Sequence, residues 1–155
     1  MRTKHHCHVL FFVCLCVLNN LMAGASSSGA RVVVKEAGSM ELNGQYREQD
    51  PLAISSGFAA TCKQMGWNTN DMWDRLTDKK TPWYEKEDGA YIYFNRGDGK
   101  WWIDNKDGGG MYIVQSKMDG PSNVPPESGY KILPGAKHPA PTVFYEHSDA
   151  NLLNL

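Results

Sequence analysis

Three short runs constrain this chain most: Ala90-Tyr-Ile-Tyr-Phe-Asn95, Lys100-Trp-Trp-Ile-Asp104 and Met111-Tyr-Ile-Val-Gln115. Each is rich in aromatic and β-branched residues, the types that suit a pleated surface. Each is far shorter than an isolated helix needs to hold together in water. Only Arg96-Gly-Asp-Gly99 and Asn105-Lys-Asp-Gly-Gly-Gly110 separate them. Those connections are too short for the crossover that a parallel pair requires. The runs therefore read as consecutive antiparallel strands joined by tight, glycine-rich hairpins.

Strand alternation then sorts the side chains. Pairing Asn95 with Lys100 sets Phe94 against Trp101, Tyr93 against Trp102 and Ile92 against Ile103. Pairing Asp104 with Met111 sets Ile103 against Tyr112 and Trp102 against Ile113. Directly opposed residues share a face. One face carries Ile92, Phe94, Trp101, Ile103, Tyr112 and Val114, an apolar core layer. The other carries Tyr91, Tyr93, Trp102, Asp104, Met111 and Ile113. This second layer is aromatic with polar tips, which suits either partial cover by helices or a binding platform.

The flanking sequence extends the same sheet. Arg31-Val-Val-Val-Lys35 reads as a first strand, Asn43-Gly44 as a turn, and Gln45-Tyr46-Arg47 as the start of a second strand. Gly129–Leu133 and Thr142–Tyr145 are further candidates. Between Pro51 and Asp78 the period changes: Leu52, Ile54, Phe58, Cys62, Met65, Met72, Trp73 and Leu76 recur at helical intervals. Gly66 supplies a stop and Asn68 or Thr69 an N-cap, so two short helices are predicted near 53–66 and 69–77. The expected fold class is α+β, mainly β: an antiparallel β-meander with a short two-helix insertion packed on the sheet. One domain spans 31–147, with the helical pair near 53–78 and a frayed tail at 148–155.

The first 25 residues follow a different logic. A positive start with Arg2 and Lys4 precedes the apolar run Val9–Leu18, and Ala23 and Ala25 supply small residues for cleavage. This is the order of a secretory signal peptide; the apolar run is about half of what a membrane span needs. Cleavage after Ala25 takes 25 residues from 155 and leaves 130, with a flexible leader at 26–30. It also removes Arg2 and Lys4 from the 16 basic residues, so that 14 face 17 acidic ones. Of four cysteines only Cys62 remains, which excludes a disulfide within one chain. Phe58, Cys62 and Met65 share a helical face, so the thiol is expected to be a buried apolar group. The localisation expected is extracellular or the endomembrane lumen, with no membrane contact after cleavage. A charge so nearly balanced excludes an electrostatic nucleic-acid partner.

Several of these residues occur in a fixed order: Asn43-Gly44-x-Tyr46, Tyr91-Ile-Tyr93, Lys100-Trp-Trp-Ile103, Tyr112, Pro125-Pro126-x-x-Gly129-Tyr130 and Pro139-x-Pro-Thr-Val143. This order resembles an uncharacterised aromatic-rich β-repeat module of algal and other protist proteins, over about residues 31–145. The resemblance implies a β-rich fold with the helical pair as an insertion. It implies no catalytic residues.

Candidate chemistry is sparse. Arg96-Gly97-Asp98 at a predicted hairpin tip has the composition of an adhesion loop, although turn residues at such a tip are also demanded by the backbone. Asp98, Asp104, Asn105 and Asp107 offer oxygen ligands, but without the spacing of a calcium loop. His138 lies in Lys137-His-Pro-Ala-Pro141 with no metal-ligand partner at a suitable spacing. No H-E-x-x-H or G-x-S-x-G pattern occurs. No catalytic residue, metal or cofactor is assigned. The function expected is a secreted, non-enzymatic binding or matrix module that recognises a glycan or an extracellular protein through Tyr91, Tyr93 and Trp102. The alternative is a small secreted hydrolase or enzyme inhibitor using the loops around Asp98, Asp107 and His138.

Overall fold

The computed structural model describes residues 29–116 and 123–146. The expected signal segment, most of the leader and the tail at 148–155 lie outside the described residues. Among the described residues, eight strands form one antiparallel sheet: β1 (Arg31–Lys35), β2 (Gly44–Gln49), β3 (Trp83–Glu85), β4 (Tyr91–Asn95), β5 (Lys100–Asp104), β6 (Gly110–Gln115), β7 (Lys131–Ile132) and β8 (Thr142–Glu146). Their order is β7-β6-β5-β4-β3-β2-β1-β8. Two helices, α1 (Ser56–Met65) and α2 (Thr69–Leu76), interrupt the β2–β3 connection. The α+β, mainly β meander with a helical pair is therefore the architecture observed.

The sheet curls into a half-barrel. Tyr112 on β6 makes the curvature visible. Its hydroxyl accepts from Ser39 N at 3.0 Å and donates to the Lys137 carbonyl at 2.6 Å. Ser39 belongs to the β1–β2 connection, yet β6 and β1 are separated by four strands in the sheet order. The concave face holds the larger core, including Val32, Val34, Tyr46, Tyr84, Ile92, Phe94, Trp101, Ile103, Tyr112 and Val114. Tyrosine suits this interior because its ring fills the core while its hydroxyl reaches a backbone acceptor at the rim. Tyr46 donates to Leu42 O, Tyr84 to Asn123 O and Tyr130 to Pro126 O, at 2.8, 3.0 and 2.9 Å.

The convex face holds a second core. Phe58 and Cys62 from α1 and Trp73 from α2 pack on Trp83, Tyr91 and Tyr93. The helices are delimited locally: Ser55 Oγ accepts from Phe58 N, Asn68 Oδ1 accepts from Asp71 N, and Gly66 ends α1 in the left-handed conformation at φ 70°. Gly57 lets α1 lie directly on two hairpins. A Cβ there would stand 2.3 Å from Gly89 O and 2.8 Å from Lys106 O.

Four details differ from the sequence reading. Asp104 pairs with Gly110, and Ile103 with Tyr112, so a bulge turns Met111 into the concave core. Gly110 is needed there because a Cβ would meet the Trp102 ring at 2.7 Å. Asn43 does not form a two-residue turn; a 3-10 turn at Met40–Leu42 precedes it, and its side chain bridges back to Ala37 N and O. Strand β3 emerges as an element of its own between β2 and β4. Finally, Met65 does not share the burial of Phe58 and Cys62: it is 56% exposed beside the helix end.

Candidate functional site

The three aromatic residues expected on one platform fall into two environments. Tyr91 and Tyr93 are buried, at 1% and 3% exposure. Their rings lie 6.1 and 5.7 Å from Trp73 of α2, and Tyr91 also meets Phe58 of α1 at 6.4 Å. The helical pair occupies the face that a ligand would have used. The sequence held the signal for this. Phe58, Cys62 and Trp73 need an apolar partner, and the concave face is already filled by the sheet's own alternate residues. Only the second face remained for them.

Trp102 alone stays half-buried on the convex face, at the margin of the helical cover. Its indole is held in one place. Nε1 donates to both carboxylate oxygens of Asp98, at 3.2 and 3.1 Å. The ring lies against the Gly110 backbone. Lys100, two residues away on the same face, places Nζ 3.4 Å from Asp98 and pairs across strands with Gln115. Ile113 stands opposite Trp102 on β6, and Lys131 follows on β7. The result is a fixed aromatic edge bordered by the Asp98 carboxylate and the Lys100 ammonium, with the Gln115 amide across from Lys100.

This geometry also accounts for Arg96-Gly97-Asp98. The three residues are exposed at the β4–β5 tip, but their charged ends are used internally. Asp98 also accepts from Lys100 N at 3.1 Å. Arg96 N donates to Leu76 O at 2.8 Å and its Nε to Arg75 O at 3.2 Å. The tripeptide thus ties the hairpin to the C-terminal end of α2, where helix carbonyls lack intrahelical donors, and aims Asp98 at Trp102.

At the other end of β5 lies Asp104, 5% exposed. The Tyr91 hydroxyl donates to its Oδ2 at 3.0 Å, while Oδ1 has no partner. Burial raises the Asp104 carboxyl to about 7, against the lowering effect of the Tyr91 hydrogen bond. Burial likewise raises Tyr91 and Tyr93, with the Asp104 charge adding to both. A carboxyl in this position is a structural acid inside the convex core rather than a solvent-facing ligand.

The other oxygen ligands do not gather. Asp98 and Asp107 occupy hairpins at opposite ends of β5, and Asp107 pairs with its neighbour Lys106 at 2.7 Å. His138 lies in the β7–β8 connection, whose backbone packs on Gly38. Among the described residues, no group of three His, Cys, Asp or Glu side chains is placed to hold a metal ion. Among those same residues no helix is long and apolar enough to cross a membrane. Comparison of the chain with protein-family models, with curated proteins and with solved structures finds no match.

Proposed function

We propose that the protein is a secreted, non-enzymatic binding or matrix module that meets a glycan or an extracellular protein on its convex face, at Trp102. One observation carries this reading: a part-exposed indole whose edge is fixed by a two-oxygen contact to Asp98. An immobilised ring loses little freedom on binding, so more of the contact energy appears as affinity. Its flat surface suits an apolar sugar face. Lys100, Gln115 and Asp98 around it supply donors and acceptors for hydroxyl groups. Export is supported by the N-terminal signal pattern.

A glycan array with the purified protein, using Trp102→Ala for comparison, tests the assignment. Loss of signal in the variant with an unchanged thermal midpoint supports it. Equal binding by both proteins removes Trp102 as the site. Tyr91 and Tyr93 take no part in the test because their replacement disturbs the core.

A further inference from the structure

A second feature of the convex face lies on the other side of the helical pair. Gln45, Arg47 and Gln49 are alternate residues of β2 and so point outward in one row, about 7 Å apart. They line a cavity of about 400 Å³ with Ser56 at the start of α1, Glu85 at the end of β3, and Lys86 and Glu87 just beyond it.

The cations beside this row are engaged except one. On the sheet, Glu146, Arg31, Arg47 and Glu85 stand side by side across β8, β1, β2 and β3. Arg31 is paired with Glu146 at 2.7 Å. Glu85 Oε1 accepts from Ser56 N at 2.6 Å, Ser56 Oγ at 2.7 Å and Ser55 Oγ at 3.3 Å, which seats that oxygen on the N-terminus of α1. Lys86 at the rim is held by Asp88 at 2.8 Å and by the Glu41 carbonyl. Arg47 makes no side-chain hydrogen bond or ion pair among the described residues, and it stands between Arg31 on β1 and Glu85 on β3. Its guanidinium donors are therefore open to a ligand in the groove.

We infer that this groove binds an oligosaccharide carrying carboxylates, a uronate, with the acid group on Arg47 and ring hydroxyls on Gln45 and Gln49. The guanidinium fork matches a planar carboxylate through two parallel hydrogen bonds. Each flanking amide both donates and accepts, as a sugar hydroxyl does. An acidic peptide fits less well. Strand β2 is paired on both sides, so no backbone edge is open for an added peptide strand. The groove also lacks an apolar wall for peptide side chains. It shares no residue with the Trp102 surface, so the two sites stand or fall separately.

Titration calorimetry of the purified protein with galacturonate oligomers tests this, with the fully methyl-esterified oligomers as a neutral form of the same sugar. The acid form binds and the ester binds at least tenfold more weakly. Arg47→Gln lowers affinity for the acid form roughly tenfold to a hundredfold, the range for one charge-assisted contact. Arg47→Lys falls between, since it keeps the charge and loses the fork. Trp102→Ala leaves this affinity unchanged. Arg47 is exposed and makes no side-chain hydrogen bond among the described residues, so its replacement by Gln leaves the thermal midpoint unchanged. The inference is overturned if the acid form does not bind, if acid and ester bind equally, or if Arg47→Gln has no effect. It is also overturned if a polyglutamate peptide binds as tightly as the oligomer with the same dependence on Arg47.

Discussion

Replacing Asp104 by Asn should flatten the pH dependence of stability. Asp104 is 5% exposed, and burial raises its carboxyl from 3.8 to about 7. A group whose folded-state value is raised stabilises the fold fully below its unfolded value, and that stability is lost as pH rises through the folded value. The full span is ~4 kcal/mol, at about 1.4 kcal/mol for each pH unit between the unfolded and folded values. Roughly 2.5 kcal/mol of it falls between pH 5 and 8. Urea titrations followed by tryptophan fluorescence read this directly. With a slope of about 1–3 kcal/mol per molar, the wild-type midpoint falls by about 1–2 M from pH 5 to pH 8. Asp78 and Asp88 do not contaminate the window. Burial opposes their ionisation, but hydrogen bonds from Thr81 and Lys80 to Asp78, and from Lys86 and Ala90 to Asp88, outweigh it and hold both below the usual range. The amide introduced by Asp104→Asn keeps an acceptor for Tyr91 and cannot ionise. Its N–H donors meet the place where Oδ1 now lacks a partner, a constant cost of about 1–3 kcal/mol. The offset is therefore free to differ, whereas the slope must vanish. Parallel wild-type and variant curves over pH 5–8 would refute the reasoning.

Two further substitutions probe the helical cover and the indole clamp. Gly57→Ala drives a methyl against the Gly89 and Lys106 carbonyls, which are backbone and cannot turn aside; it should cost about 1–3 kcal/mol in urea denaturation, and a neutral result would mean that α1 is not seated on the hairpins. Asp98→Ala removes both acceptors of Trp102 Nε1 at a site open to water. Stability should change by no more than about 1.5 kcal/mol, while the Trp102 indole N–H resonance shifts and broadens by NMR; an unchanged resonance argues against the clamp.

Much of the sheet was legible because the period of a strand is two and its hairpins here are short. The pairs Phe94–Trp101, Tyr93–Trp102, Ile92–Ile103, Ile103–Tyr112 and Trp102–Ile113 all form as alternation requires. The register slips only at Met111, where the bulge depends on a contact between Gly110 and the Trp102 ring that spans two strands. Local periodicity contains no information about such a contact. The helices were legible for the same reason as the strands, through spacing and caps. What covers what was harder. Alternation says that Tyr91 and Tyr93 share a face with Trp102, but not how far a helical insertion reaches across it. The cover ends at Trp102, so one of three equivalent-looking aromatics stays at the surface. Arg47 was illegible for a different reason. Its significance lies in the partners taken by Arg31, Glu85 and Lys86, and those partners come from four separate segments of chain.

The placement of β8 has a consequence for how this protein comes into being. Of the described strands, the first to be synthesised, β1, lies between β2 and the last, β8. A nascent chain that has emerged only as far as residue 141 can form both helices and seven strands, yet one side of β1 still has no neighbour. Val33, which rests between Gln45 and Phe144, then remains uncovered on one flank. Completion of the sheet must wait for nearly the whole domain to leave the ribosome. During that interval the row of N–H and C=O groups along β1 is open to any other extended segment.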